Sequence, residues 1–545
     1  MSDAIRLSRL AAIAACLFLI AAVVSACGSS KSSSASASSA PSASSTTTSS
    51  SGATGTPKPG GSLTALELGG YAGAWPAGLD PATNTNGAAD QDQMNAIFGQ
   101  LFQLAEGGKL VADLATSATP KNSGKTWVIS LRPGLKFSDG TPMDAQAVLF
   151  NWKRDLATPC TCKPILPPVT SLTAPNPTTV ELSMAAPNGA FQNQLLVANL
   201  NWIGSPTALK KMGEQAFKLK PVGAGPFTVV SDTLSNTLVL KKNPTYWESG
   251  KPYLDNLTFK ATADDEAALE ALQSGAAQAY DGMATPSLVS TYKSHFTTTE
   301  QPATSPYNIQ LNTAAPPFNN LNARLAIYYA TDASIIDQKL FGNQFQVVQG
   351  FTAPGGLFYY PNVPGYPGYD LNKAKQLVKQ VGGLNVNFFT LASPVNQNFM
   401  EALQTLWKQA GINTSIHLYS LAGLIQQFDT KTWQAALQTA GAWDPAAGVG
   451  LGFRFLSQSP FSGVHDKKLD ALILGGQGAV DPSARDKVYQ QAAQYIAKSA
   501  YSPFLFPLAS WNVAVHGVVG PGLTTVIPSV VVNTPPLWQD VGFTK

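Results

Sequence analysis

The sequence predicts an α/β protein of at least two lobes, on three observations. The chain has 545 residues, and a single hydrophobic core rarely grows past about 250–300 residues. Hydrophobic residues make up 44% and aromatics 9%, enough for large cores and too many for a wholly disordered chain. Finally, two segments repeat one supersecondary pattern. Ala374, Leu377, Val378 and Val381 recur at helical spacing, Gly382-Gly383 stops the helix, and Leu384, Val386 and Phe388 alternate as a strand. Phe399, Leu403, Leu406, Trp407 and Ala410 then form an apolar helical face, Gly411 follows, and Ile412, Thr414, Ile416 and Leu418 alternate. Helix–glycine–strand units in tandem build a lobe on a mixed sheet, so these stripes are core.

The remaining elements are read in the same way. Helices start near Asp264, Leu321 and Asp481. Asp481 is a good N-cap, and Pro482 fits the first helical position. The segments around 61–70, 126–132, 178–184 and 225–242 read as strands, and Pro- and Gly-rich loops occupy 157–177 and 353–368. Charged residues are only 12%, against a usual ~25%. Lys plus Arg is 35 and Asp plus Glu is 32, a net charge of +3. That balance carries no basic stripe for a nucleic acid.

The N-terminus reads as an address. Arg6 and Arg9 precede an apolar run, Leu10 to Val24, the layout of a signal peptide. It is too short for a membrane-spanning helix. Val24-Ser25-Ala26-Cys27-Gly28 resembles a bacterial lipobox, which implies a diacylglycerol on Cys27 and cleavage before it, after residues 1–26. Residues 27–60 are dominated by Ser, Ala, Thr, Gly and Pro and form no core, so they read as a tether. Cys160 and Cys162 form a C-x-C pair. A disulfide suits an extracytoplasmic location but would be strained across one residue; free thiols are the other reading.

Local catalytic signatures are missing. Asn122-Ser123-Gly124-Lys125-Thr126 resembles the end of a phosphate loop, but Thr119 stands where the motif needs glycine. The segment also leads into a strand, so it reads as a hairpin turn. His295, His417, His465 and His516 are scattered, and no G-x-S-x-G elbow occurs. The expectation is a non-enzyme with no catalytic residue, metal or cofactor.

Several blocks in order resemble the bacterial extracellular solute-binding proteins of family 5. Gly60-Gly61-Ser62-Leu63 and Leu79-Asp80-Pro81-Ala82 come first. The strongest block runs from Leu131 through Arg132-Pro133-Gly134-Leu135-Lys136-Phe137-Ser138-Asp139-Gly140-Thr141-Pro142 to Ala145, Val148, Trp152 and Arg154. Pro221 to Phe227, Asn243 to Trp247, Leu311-Asn312-Thr313, Pro316-Pro317-Phe318, Arg324 to Asp332, Asp370 to Leu377, Gly411-Ile412 and Phe504 to Leu508 follow. The Pro133-Gly134 and Asp139-Gly140 pairs read as turns, and Gly223 and Gly225 as positions needing unusual backbone angles.

The resemblance implies a two-lobed periplasmic-binding-protein-like clamp, type II and similar to cluster C, serving an ABC importer. Lobe I would be 61–305 plus 506–545, with an extra subdomain at 107–221; lobe II would be 306–505. Strands near 305–312 and 500–508 would cross between them. A peptide or similar small solute would bind between the lobes and pass to a membrane permease. The protein would be a lipid-anchored extracytoplasmic monomer. A sensor built on the same clamp, or a binder of a sugar or metal complex, is the alternative. Tyr71, Trp75, Trp202, Trp443, Asp444 and Trp511 are the ligand-binding candidates, because large aromatics in polar, Gly-rich loops make platforms. Peptide-binding members carry an Asp where this chain has Gly441, which leaves Asp444 as the local carboxylate. Arg454 reads as a solvated charge, with service to an anionic ligand as the alternative.

Overall fold

The computed structural model describes residues 55–68, 75, 77–84, 90–158, 166–440, 447–527 and 535–545. Cys27, Tyr71, Cys160, Cys162, Gly441, Trp443 and Asp444 lie outside them.

A seven-stranded sheet takes its strands from distant parts of the chain. Its order is Thr297–Gln301, Ser510–Ala514, Ala279–Met283, Ser62–Leu68, Asn256–Thr262, Thr237–Lys242 and Phe227–Thr233. Ser62–Leu68 runs parallel to both neighbours. The segment read as one strand over 225–242 is a hairpin, turning through Ser235 at φ 59°. One face of the sheet carries Leu63, Phe259 and Trp538 in a large core, and the other carries Tyr280, Tyr292 and Trp511. Period-2 alternation puts neighbours such as Ala279 and Tyr280 on opposite faces.

The extra subdomain is an antiparallel four-stranded sheet, ordered Ala115–Lys121, Thr126–Leu131, Thr179–Met184, Val169–Asn176. The helix Ala145–Ala157 covers it, capped by Asp144, whose carboxylate accepts from the Gln146 and Ala147 amides. Residues 122–124 form the tight turn between two strands of this sheet. Gly134 (φ 74°) and Gly140 (φ 83°) take the left-handed angles of the turns in the 131–142 block. Gly223 and Gly225 do not. Their requirement is space: a Cβ on Gly223 would lie 2.3 Å from the Ile97 carbonyl oxygen, and one on Gly225 2.5 Å from the Gly99 nitrogen.

The second lobe contains both tandem units. Helix Leu371–Gln380 leads to strand Leu384–Leu391, and helix Pro394–Gln409 to strand Ile412–Tyr419. The two strands pair in parallel, inside a mixed sheet ordered Tyr307–Leu311, Ala435–Thr439, Leu384–Leu391, Ile412–Tyr419. Trp407 is fully buried, and its indole N–H donates to Thr331 Oγ1 at 3.0 Å. Three helices, Gly448–Phe455, Lys467–Gly478 and Pro482–Lys498, pack as a separate cluster around Tyr489.

The end of the segment read as a tether belongs to the fold. Lys58 pairs with Phe543, and the Gly60 amide donates to the Tyr253 carbonyl at 2.8 Å. No helix among the described residues is long and apolar enough to cross a membrane.

Candidate functional site

The chain passes between the two large sheets twice. It leaves the seven-stranded sheet after Gln301 and enters the other at Tyr307; it returns through 503–508 to Ser510. The two passages pair: the Tyr307 amide donates to Phe506 O at 3.0 Å, and the Leu505 amide to Tyr307 O at 2.8 Å. Tyr307 stacks on Phe399 with ring centroids 4.8 Å apart, and Phe506 packs against Phe399 and Phe345. The crossing is therefore anchored in the lobe II core. The short connections 302–306 and 507–509 lie between the two sheets on these passages.

Away from the crossing, the extra subdomain meets lobe II directly. The Gly189 amide donates to the Gln477 carbonyl at 2.8 Å. Val197 packs in the cluster of Phe389, Leu424 and Trp433. Between these contacts lies a cavity of about 480 Å³, walled by Leu166, Pro168 and Ala186 on one side and by Gly452, Phe453 and Gln477 on the other.

The tryptophans expected at the cleft divide. Trp75 and Trp202 are fully buried in the lobe I core. Their indole N–H groups donate to Asp232 and Asn95, each at 2.8 Å. Both are packing residues, a correction to the loop-platform expectation: a Gly-rich neighbourhood in the sequence does not show whether the fold closes over the ring. Trp511 is also buried, but its indole N–H has no acceptor among the described residues. Arg454 is another correction. It is fully buried rather than solvated, with Nε donating to the Thr439 carbonyl at 2.8 Å. Burial pulls its guanidinium below the ordinary arginine value. The four histidines are all exposed.

Sequence reasoning missed a set of buried acids in lobe I. Glu67 and Asp281 are register partners on adjacent parallel strands, and Asp92 comes from the helix Gln91–Phe98 above them. Gln93 Nε2 donates to both Glu67 oxygens at 2.7 and 2.8 Å, and Trp538 Nε1 to Asp92 at 2.6 Å. Desolvation raises Glu67 well above the usual carboxylate range, helped by the Asp92 charge, and pushes Asp92 up to about 6. The available signal was a glutamate between two leucines, Leu66 and Leu68, in a strand.

The two-sheet clamp with paired crossings agrees with solved structures. The substrate-binding protein CtaP of Listeria monocytogenes superposes with a TM-score of 0.76 at 23% identity, over 90% of this chain and 100% of that one. AgaA of A. tumefaciens R10, solved with agropinic acid, gives 0.74 at 21%, over 89% and 99%. The model of the bacterial extracellular solute-binding proteins, family 5 Middle, matches residues 109–459. This chain belongs to that family. A curated relative, the glutathione-binding protein GsiB of Shigella flexneri serotype 5b, is 30% identical over 346 residues, which is 62% of this chain and 66% of the relative. The chain thus spans about two thirds of that relative's length.

Proposed function

We propose that this protein is the solute-capturing component of an ABC importer, taking a peptide or similar small solute between its lobes and delivering it to a membrane permease. The observation that carries the reading is the paired crossing at Tyr307 and Phe506, joining two separately cored sheets in a family-5 chain. A solute touching both lobes prefers the closed state, and that differential affinity is what drives closure. The work needs no covalent step, catalytic residue or cofactor. The name of a curated relative, a glutathione-binding protein, supports a small peptide-like solute. Trp443, Asp444 and Tyr71 remain the proposed ligand contacts, with Trp511 offering its indole N–H. Cys27 would carry the lipid that holds the protein, as a monomer, outside the membrane.

The test is a thermal-shift screen with peptide pools, N-acetylated peptide pools, glutathione, sugars and metal chelates. A ligand that binds only the native state raises the midpoint by mass action. A saturable shift with one class supports capture; turnover of the bound compound would overturn it.

A further inference from the structure

The cavity between the extra subdomain and lobe II has walls from both and, among the described residues, charge from neither. None of the residues lining it is ionisable. Two of its three polar side chains are already engaged: Ser459 Oγ donates to the Phe453 carbonyl at 2.7 Å, and Gln477 Nε2 to the Gly448 carbonyl at 2.6 Å, while Gln458 is exposed. A charged group placed here would lose water and gain no partner. Gly448 and Gly452 stand one turn apart on the helix Gly448–Phe455. Glycine is a poor helix former, and here it lets neighbours approach: a Cβ on Gly448 would lie 3.2 Å from Gln477 Cγ. At the rim the apolar side chain of Leu474 is 50% exposed. The volume of about 480 Å³ lies within the usual 300–1,000 Å³ range of small-molecule pockets.

We propose that this compartment binds an uncharged, largely apolar group of the captured solute, so that the solute itself ties the extra subdomain to lobe II. The inference rests on the solute-binding reading and deepens it. The polar end of the ligand is left to the cleft near the crossing, and the apolar end occupies a second compartment that exists only when subdomain and lobe meet. Solutes with an apolar extension then favour closure more than solutes without one.

The experiment titrates the full chain with N-phenyl-1-naphthylamine, an uncharged fluorophore that brightens in apolar sites. Ala186→Trp fills the compartment from the subdomain side. Ala186 is exposed and precedes a proline, outside any helix or strand. Gly452→Val fills it from lobe II, where a Cβ would sit 3.3 Å from Gln477 Nε2. Saturable binding by the parent is expected, weakened about 10-fold or more in each filled variant and unchanged in Ala186→Ser, with equal melting midpoints. If Gly452→Val fails to fold, Ala186→Trp decides alone. No saturable site, or one that Ala186→Trp leaves intact, would overturn the proposal. A naphthylamine site in a protein that no solute shifts would keep the compartment and overturn the importer reading. Solute shifts without a naphthylamine site would do the reverse.

Discussion

Arg154 grips Asp80 with both prongs of its guanidinium, NH1 to Oδ1 at 3.1 Å and NH2 to Oδ2 at 2.8 Å. The two residues are 74 positions apart and come from two of the sequence blocks that resemble the family. Asp80 is fully buried and Arg154 partly so. The pair therefore fastens the extra subdomain's helix to the first turn of lobe I, giving these two block residues a structural role.

Arg154→Ala strands a buried carboxylate, and breaking one side of such a pair costs about 3–5 kcal/mol. Arg154→Lys keeps the charge but loses the fork and recovers only part. Urea denaturation measures both. A loss below about 1 kcal/mol for the alanine variant would show that the pair holds nothing.

Stability should fall as pH rises from 5 to 8. Desolvation pushes Asp113 up to about 7 and Asp92 to about 6 in the folded chain, against about 4 when unfolded. Below pH 4 both states hold these protons. Between pH 4 and 7 the folded state holds more, so their contribution declines as pH climbs through the folded values. Glu67 and Asp155, also raised by burial, act in the same direction. Asp139 and Asp466, lowered by their hydrogen bonds, lose stability only below about pH 4. The melting midpoint should be higher at pH 5 than at pH 8, with a flatter profile in Asp113→Asn. A profile rising across that window contradicts the assignment.

Gly189→Val should hold the lobes apart. A Cβ at Gly189 would lie 2.0 Å from the Ala479 carbonyl oxygen, a backbone contact that cannot swing aside. The variant folds, because the clash lies between the extra subdomain and lobe II rather than within a core. Small-angle scattering should give it a larger radius of gyration than the parent, and its best solute should bind about 10-fold more weakly. Equal radii would mean that the Gly189–Gln477 contact does not govern closure.

Trp443→Ala should weaken solute binding about 10-fold at unchanged melting temperature, read by calorimetric titration. Loss of binding to free-amine peptides in Asp444→Asn, with acetylated peptides unaffected, would place the amine anchor on Asp444. Unaltered affinity in both variants removes the 443–444 pair from the site.

Cys27→Ala should release the protein from membranes into the soluble fraction on ultracentrifugation. A variant that still sediments with membranes rules out lipid attachment at that residue.

The tandem helix–glycine–strand units of lobe II were readable because their signals are local. Apolar spacing of 3–4 residues in 371–380 and 394–409, glycine stops and period-2 strands need no knowledge of the rest of the chain. The turns at Gly134 and Gly140 were readable for the same reason. Gly223 and Gly225 were misread, since their need arises from the Ile97–Gly99 backbone, more than 120 residues earlier.

The sequence by itself determined an α/β chain of more than one core and its family-like order of blocks. Only the tertiary structure decided which of the described side chains are buried. Trp75, Trp202 and Arg454 look like surface groups in their own neighbourhoods, yet partners brought from Asp232, Asn95 and Thr439 hold them inside. The compartment between Ala186 and Gly452 has no sequence signature at all, because its two walls are over 260 residues apart and become one site only when the subdomain meets lobe II. Burial and cavity shape are sums over contacts distant along the chain, and periodicity and composition report only near ones.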